Sequence, residues 1–134
     1  MNYEKKECYF KNGNIECTKY YLNNQLHKNN EPAYIKYYEN GKVKCQLYYI
    51  NNKLHREDGP ACIEYYDNGG IVYESYYVNG QHHRVDGPAY ISYYKKDNSI
   101  ICKNYFINDK DITNVYDKYK YDLTKRAISV QKKI

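Results

Sequence analysis

The sequence predicts a mainly β fold, a single-domain antiparallel β-meander that a 28-residue repeat builds and a C-terminal capping α-helix closes. Three observations predict this class. Two 28-residue segments share half of their residues, turn signals recur inside each segment, and the apolar spacing changes from alternation to a helical period near residue 113. A chain of 134 residues is long enough for one such domain.

The repeat is visible when residues 37–64 are aligned with residues 65–92, because 14 of the 28 positions are identical without a gap. Residues 9–36 fit the same frame with fewer matches. Residues 93–112 fit it with one inserted residue and then stop. The sequence therefore predicts about 3.5 units, which form one β-repeat domain over residues 1–112.

Each unit contains residue pairs that favour tight turns, since Asn and Gly tolerate the positive φ angles of two-residue hairpins. In the second unit these pairs are Asn-Gly at 40–41, Asn-Asn at 51–52 and Asp-Gly at 58–59. The stretches 42–50 and 60–67 between them have strand length and are rich in Val, Ile and Tyr. Residues 53–57 are either a third strand or an irregular crossover.

Alternation along these strands predicts one packed face and one half-exposed face. The packed face is expected to carry Val43, Cys45 and Leu47 and, on the companion strand, Ala61, Ile63 and Tyr65. The half-exposed face is expected to be a ladder of tyrosines on which a partner binds. Its members are Tyr48, Tyr66, Tyr76, Tyr94 and Tyr105.

The C-terminal segment, residues 113–134, has apolar residues at helical steps of three and four. Thr113 is a suitable N-cap, and Lys132 and Lys133 suit a helix C-terminus. Because an open repeat array leaves its last strand unpaired, we expect the helix to cover that edge. The apolar positions are Ile112, Tyr116, Tyr119, Leu123, Ala127, Val130 and Ile134.

The composition indicates a folded protein, because 21 tyrosines supply buried ring area despite a mean hydropathy of −1.02. No segment reaches the 18 apolar residues of a membrane span. Five cysteines without a CxxC pair predict reduced thiols and an intracellular protein, in the cytoplasm or in a virus factory or virion. Cys17, Cys45 and Cys102 share a frame position with Tyr73, which is typical of packing positions.

A His-Arg-x-Asp-Gly-Pro motif occurs twice at the repeat period. We interpret it as the corner of the β repeat, in which the Asp accepts turn N–H groups, the Arg pairs with carboxylates, and the Pro opens a strand. The motif residues are His55, Arg56, Asp58, Gly59 and Pro60 in one copy, and His83, Arg84, Asp86, Gly87 and Pro88 in the other.

Two chemical alternatives for this motif remain open. Each His with its Asp could form a general base and an orienting carboxylate. His27, His55 and His83 lie in register and could form a metal site, although zinc needs three or four ligands at one point. Recurrence at the structural period favours architecture, since an active site is normally single. The sequence therefore predicts a protein that is no enzyme and that holds no metal or cofactor.

The unit resembles the MORN-repeat variant family, whose members carry Tyr-Tyr-x-Asn-Gly-Lys-Leu-His-Arg-x-Asp-Gly-Pro-Ala strings in bacteria, phages and large DNA viruses. The resemblance covers residues 9–110 and is carried by Tyr48, Tyr49, Asn51, Leu54 and Ala61 with the first motif, and by Tyr76, Tyr77, Asn79, Gly80 and Ala89 with the second. The first unit departs from it, with Leu-His-Lys-Asn-Asn-Glu-Pro-Ala. The resemblance implies an interaction scaffold, and a viral factor is consistent with the AT-rich codons of Lys, Asn, Tyr and Ile, which make up 67 of the residues.

A protein is the favoured partner, because tyrosine gives contact area at low entropic cost. Single-stranded nucleic acid is the alternative, since aromatic platforms with lysines can stack bases. The charge supports it weakly: the net charge is +5, and residues 109–134 carry +3 of it. A membrane surface is less favoured, because acidic residues interrupt the basic helix. The sequence predicts no oligomeric state.

Overall fold

The computed structural model describes residues 1–131 and shows fifteen strands followed by one helix. In chain order these elements are β1 (Glu4–Tyr9), β2 (Ile15–Leu22), β3 (Gln25–Leu26), β4 (Tyr34–Tyr37), β5 (Val43–Leu47), β6 (Tyr49–Ile50), β7 (Lys53–Leu54), β8 (Cys62–Tyr65), β9 (Ile71–Ser75), β10 (Tyr77–Val78), β11 (Gln81–His82), β12 (Tyr90–Tyr93), β13 (Ile100–Asn104), β14 (Phe106–Ile107), β15 (Lys110–Asp111) and α1 (Thr113–Gln131).

The main sheet confirms the predicted antiparallel meander. Its strands lie in the order β1-β2-β4-β5-β8-β9-β12-β13, and β3 pairs with the end of β2. All of these pairings are antiparallel. Among residues 1–131, the two outer strands β1 and β13 therefore each leave one edge of the sheet unpaired.

The remaining short strands form a row of small hairpins beside the main sheet, namely β6–β7, β10–β11 and β14–β15. Successive hairpins bond to one another through the backbone, with Arg56 N–H donating to the Tyr77 carbonyl and Arg84 N–H donating to the Phe106 carbonyl, both at 3.1 Å. Each unit thus bends once, between its long strand and its hairpin.

The predicted turn at 51–52 is present and explains the asparagines. Asn51 and Asn52 have φ angles of 49° and 64°, and Asn79 and Gly80 have 50° and 79° at the equivalent tip. Two consecutive positive φ angles are what a two-residue hairpin requires. Residues 53–57 combine the two predicted alternatives, a third strand and an irregular crossover. Lys53–Leu54 forms a short strand, and residues 55–57 are irregular.

The expectation that Asp-Gly at 58–59 forms a positive-φ turn is wrong. Gly59 and Gly87 do not have positive φ angles. Instead, a Cβ at Gly59 would lie 2.9 Å from Arg56 Cζ, and a Cβ at Gly87 would lie 3.0 Å from Arg84 Cζ. A side chain at either position would displace the guanidinium from its place against the backbone, so glycine preserves the arginine packing.

The expected packed face combines residues that lie on opposite sides of the sheet. The register pairs Cys45 with Glu64 and Gln46 with Ile63. Cys45 and Ile63 therefore point away from each other, because directly opposite residues share a face. Alternation within one strand was sufficient to group its own residues, but it does not set the register between strands.

The core lies at the bend of each unit. Ala33, Ala61 and Ala89 are all fully buried there, 28 residues apart. The backbone passes close to them, since Tyr48 N–H donates to the Ala61 carbonyl at 2.8 Å and Tyr76 N–H donates to the Ala89 carbonyl at 2.7 Å. Buried alanine at this position lets the long strand and the hairpin approach each other.

The cysteines differ from the expectation of reduced, packed thiols. Cys8 and Cys17 form a disulfide that joins β1 to β2, so that prediction is wrong for these two residues. Cys45 and Cys62 are buried free thiols, whereas Cys102 is exposed on β13. Cys102 therefore does not occupy a packing position.

The C-terminal helix is confirmed, but it does not cover the sheet edge as expected. Its first turn contacts the repeat through Tyr116, whose ring stacks on Tyr105 with centroids 3.7 Å apart. Further along, Tyr119 is 62% exposed and Leu123 is 45% exposed. The helix leaves the domain after one turn because its start is fixed at the last hairpin.

The helix start also differs in detail from the prediction. Thr113 is the first helical residue, and its N–H is capped by Asp111 Oδ1 at 2.9 Å. The Thr113 hydroxyl instead accepts the Tyr105 N–H at 2.9 Å. Asp111 is therefore the capping side chain, while Thr113 anchors the helix to the repeat. The predicted positions Lys132, Lys133 and Ile134 lie outside the described residues.

Candidate protein-interaction surface

The five tyrosines expected to form one partner-binding face lie in two separate rows. Tyr48, Tyr76 and Tyr105 follow the ends of β5, β9 and β13 and lie at the bends. Tyr66 and Tyr94 follow the ends of β8 and β12, at the opposite ends of the strands. We call these rows the bend row and the turn row. The bend row includes Tyr20 and the turn row includes Tyr38, two residues that the sequence analysis did not assign.

In the bend row, one face of each tyrosine ring is already covered. Lys28 Nζ lies 3.7 Å from the Tyr20 ring centroid, and the Cζ atoms of Arg56 and Arg84 lie 4.0 Å from the centroids of Tyr48 and Tyr76. At Tyr105 the ring of Tyr116 takes this place, and Tyr105 is only 8% exposed. Tyr105 therefore offers no surface to a partner.

Each motif arginine is held by its own loop. Arg56 Nε donates to Asp58 Oδ1 at 3.0 Å, and Arg56 Nη1 donates to the Pro60 carbonyl at 3.1 Å. Arg84 makes the same two bonds, to Asp86 and to the Pro88 carbonyl, at the same distances. Two hydrogen bonds and one stacked ring fix each guanidinium, so the motif builds a rigid loop beside each bend.

The motif histidines link neighbouring units. His55 Nδ1 accepts the backbone N–H of Asn79 at 3.0 Å, and His83 Nδ1 accepts that of Asn108 at 3.1 Å. His27 Nδ1 accepts the N–H of Asn51 at 3.2 Å in the same way. Each donor lies at the tip of the next hairpin, where the positive-φ turn points an N–H outwards. We call these three hydrogen bonds the histidine links.

The histidine links also separate the three imidazoles, one per unit. In residues 1–131, no three His, Cys, Asp or Glu side chains converge as metal ligands. His27 Nε2 lies 2.9 Å from Asn29 Oδ1, and His55 Nε2 lies 3.5 Å from Glu57 Oε1. Local polar groups therefore approach the outward nitrogen of His27 and His55.

In the turn row, each hydroxyl reaches the next unit. Tyr38 donates to the Tyr65 carbonyl at 2.6 Å, and Tyr66 donates to the Tyr93 carbonyl at 2.9 Å. Burial raises the pKa of Tyr38, so its hydroxyl remains protonated and able to donate. Tyr94 is the last member and is 54% exposed. The hydroxyls of Tyr38 and Tyr66 therefore link neighbouring units of the array.

Two grooves lie beside the motif loops, each between the loops of neighbouring units. One has a volume of about 340 Å³ and lies between the loops of the two motifs, with Tyr76 and His83 on its walls. The other, of about 380 Å³, lies one unit earlier, with the equivalent Tyr48 and His55 on its walls. We call them the motif grooves. They present the same tyrosine, histidine and arginine arrangement twice in succession.

The charges that reach solvent along the motif grooves are mainly acidic. The side chains of Glu57, Asp58 and Asp86 are 86%, 80% and 86% exposed. The Arg56 and Arg84 side chains are only 24% and 25% exposed, because they lie on the tyrosine rings. A ligand in these grooves would therefore meet carboxylates and tyrosine edges rather than free cations.

A basic surface lies elsewhere, on the N-terminal part of the sheet. Lys19 Nζ and Lys36 Nζ lie 4.7 and 5.1 Å from the Tyr34 ring centroid. Lys44 lines the same cavity of about 420 Å³, in which Glu16 is the single acidic residue. We call this surface the lysine patch.

A pair of buried thiols was not anticipated as a unit. Hydrogen bonds from Cys45 and Tyr73 lower the pKa of the Cys62 thiol, whereas the hydrogen bond with Cys62 and burial raise the pKa of the Cys45 thiol. Cys62 is only 6% exposed, so a reagent in solution does not reach it directly. The sequence alone does not predict that Cys45 and Cys62 lie together, because their proximity depends on the register of β5 against β8.

Comparison with protein-family models, with curated proteins and with solved structures finds no match to this chain. The resemblance to MORN-type repeats thus rests on the sequence motifs alone. The described part of the chain also contains no helix with the length and apolar content needed to cross a bilayer.

Proposed function

We propose that this protein is a non-enzymatic MORN-like repeat scaffold that binds another protein along the motif grooves. The observation that carries the proposal is the duplication of one groove, with Tyr48, Arg56 and His55 in one copy and Tyr76, Arg84 and His83 in the next. Fixed guanidiniums and histidine links make both copies rigid, and rigid aromatic surfaces bind with little loss of entropy.

The spacing of the motif grooves fits an extended segment of the partner. Neighbouring units are two strand spacings apart, which is about 10 Å. A polyproline II segment rises about 9 Å in three residues and returns to the same face, so every third side chain meets an equivalent groove. Aromatic grooves are common binding sites for such segments.

The exposed charge specifies the side chains of this segment. Glu57, Asp58 and Asp86 reach solvent along the grooves, and their charges favour lysine or arginine on the partner. The same carboxylates oppose a nucleic-acid backbone at this site. The covered faces of Tyr48 and Tyr76 also leave little ring area for stacked bases.

The test uses a fluorescein-labelled (Lys-Pro-Pro)3 peptide and measures anisotropy, with (Glu-Pro-Pro)3 as the charge control. We expect the basic peptide to bind and the acidic one not to bind. Glu57→Lys should weaken binding at least about tenfold by opposing the peptide charge. Glu39→Lys, the same change on a distant exposed turn, should leave it unchanged.

Binding of both peptides alike, or of neither, would contradict a basic segment in the motif grooves. The second candidate function is single-stranded nucleic-acid binding, which the lysine patch favours. A labelled dT12 oligonucleotide is therefore run in parallel. Steeply salt-dependent dT12 binding that Lys36→Glu abolishes would replace the protein-binding proposal with this alternative.

A further inference from the structure

The two ends of the main sheet carry its exposed apolar surface. Outside α1, Met1 and the loop residue Val85, the exposed large apolar side chains of residues 1–131 are Tyr9, Tyr94, Ile100 and Ile101, at 56%, 54%, 45% and 49%. All four lie at or beside the unpaired strands β1 and β13. Unpaired strands with exposed apolar side chains are sites where another strand can add.

The two end strands are equivalent to strands that already pair inside the chain. A bulge pairs Tyr9 with Ile15 in β1–β2, and the same bulge pairs Tyr65 with Ile71 in β8–β9. Equivalent bulges occur in β4–β5 and β12–β13. β1 therefore corresponds to β4, β8 and β12, whereas β13 corresponds to β2, β5 and β9.

Inside the chain, β2, β5 and β9 pair with β4, β8 and β12, respectively, in one fixed register. The pairs are Thr18 with Ile35 in β2–β4, Gln46 with Ile63 in β5–β8, and Glu74 with Ile91 in β9–β12. The unpaired edge of β13 is therefore equivalent to the edges of β2, β5 and β9 that pair with the following unit. The unpaired edge of β1 is equivalent to the edges of β4, β8 and β12 that pair with the preceding unit.

Extending this register by one step places Lys103 opposite Glu7 of a second copy. It also places Asn104 opposite Lys6 and Cys102 opposite Cys8 of that copy. The Lys103–Glu7 pair joins opposite charges, which favours this register. In the single chain Lys5 Nζ lies 2.7 Å from Glu7 Oε1 and the Tyr9 hydroxyl donates to Glu7 Oε2, and both contacts lower the pKa of Glu7, so the carboxylate is charged at neutral pH.

The turn row predicts the same neighbour independently. Tyr38 and Tyr66 each donate to a carbonyl 27 residues later, in the next unit. The equivalent acceptor for the Tyr94 hydroxyl is the Tyr9 carbonyl of a second copy. Tyr94 and Tyr9 are the two exposed tyrosines at the ends of the array, and they would meet at this contact.

We propose that this chain assembles head to tail, with β13 of one copy pairing antiparallel with β1 of the next in the register that the chain uses three times internally. The described part of α1 leaves this edge open, since Ile101 on β13 is 49% exposed. A contact between two different surfaces leaves one β1 edge and one β13 edge free at the ends, so further copies add in a row that continues the main sheet until it ends or closes as a ring. This property is separate from binding of a partner in the motif grooves.

The test is sedimentation velocity of the whole chain over a concentration series at low salt. We expect the wild-type mean mass to rise past that of a dimer. Glu7→Lys and Lys103→Glu should each weaken assembly at least about tenfold, because each places like charges opposite one another. Glu39→Lys is the matched control and should assemble like the wild type.

An equimolar mixture of the two single variants is the decisive sample. In each variant alone, positions 103 and 7 of neighbouring copies carry like charges. In the mixture, a contact between the two different variants always joins Lys to Glu, so rows in which the variants alternate should form. Their formation also shows that both variants are folded. A wild type that is monomeric throughout, or self-association that neither variant weakens, would overturn the proposal, the second result indicating another contact such as β13 with itself.

Discussion

At the scale of single residues, His82 has an environment that no other unit shares. It occupies the position of Leu26 and Leu54 in earlier units, and its ring lies between Tyr77 and Phe106, with centroids 4.1 and 4.8 Å away. Its Nε2 lies 2.9 Å from the hydroxyl of Ser75, which is 2% exposed. The His82–Ser75 pair is therefore a polar contact where the preceding unit has Leu47 and Leu54.

This pair predicts a pH dependence of stability. Burial lowers the pKa of His82 below its ordinary value of 6.5, and Asp109, whose Oδ1 lies 4.0 Å from Nδ1, opposes this only in part. The unfolded chain therefore binds the proton more readily than the folded chain. The free energy of unfolding should be fully present above pH 6.5 and fall as the pH drops below it.

Urea unfolding between pH 7.5 and 5.5 checks this expectation. The double change Ser75→Leu/His82→Leu copies Leu47 and Leu54 of the preceding unit and should reduce the loss of stability over this range. His82→Leu alone should lower stability, because it leaves the buried Ser75 hydroxyl without its partner. A pH dependence of equal size in the double variant would show that another group is responsible.

Residue types also mark the limit of what the sequence could predict. The period of the motif favours a structural role for it. It does not explain why residue 59 is glycine, because the close approach of Arg56 to this residue depends on the folded loop. Tyrosine positions were grouped by alternation within strands. Tyr48 and Tyr66 nevertheless lie at opposite strand ends, since a bend between β5 and β6 interrupts the alternation at Tyr48.

At the scale of elements, α1 is attached through its first turn, by the Tyr116–Tyr105 ring contact and the Thr113–Tyr105 hydrogen bond. Tyr116 covers the Tyr105 ring, which in other units is covered by a cation. The remaining side chains with described exposure, such as Leu123, project into solvent. Periodicity predicted the helix itself, but not its direction, because direction depends on the Asp111 cap and the Thr113–Tyr105 bond.

Tyr116→Ala and Leu123→Ala should therefore differ in their effects on stability. Losing the Tyr116 ring exposes Tyr105 and should cost about 1–2 kcal/mol in the free energy of unfolding. Leu123→Ala, at a 45% exposed position of the same helix, should change it by less than about 0.5 kcal/mol. Thermal and urea unfolding measure both. Equal costs would mean that the whole apolar stripe of α1 packs on the domain.

At the scale of the whole molecule, order is carried by contacts between neighbouring units rather than by one central core. The fully buried side chains are alanines, and no large side chain among the described residues is fully buried. Stability in such an array is a sum of contacts within units and between neighbours. The sequence predicted the antiparallel meander of the main sheet, because its turn residues and strand residues recur at a fixed spacing.

Removing the histidine links one at a time and together tests whether the stability of the array is a sum of separate contacts. His55→Ala and His83→Ala each remove one acceptor, and each should cost about 1 kcal/mol in the free energy of unfolding. The two links have different partners in different units, so the double variant should lose the sum of the single losses. Val85→Ala, at an 81% exposed position of the same loop as His83, should have no effect.

Urea unfolding gives the three energies, and amide hydrogen exchange locates them. In His55→Ala the Asn79 amide should exchange faster while the Asn108 amide is unchanged, and His83→Ala should show the reverse. This reciprocal pattern requires each histidine to act on its following hairpin alone. If either variant accelerates exchange at both amides, the units unfold together, and the contacts between them are a single cooperative structure rather than separate links.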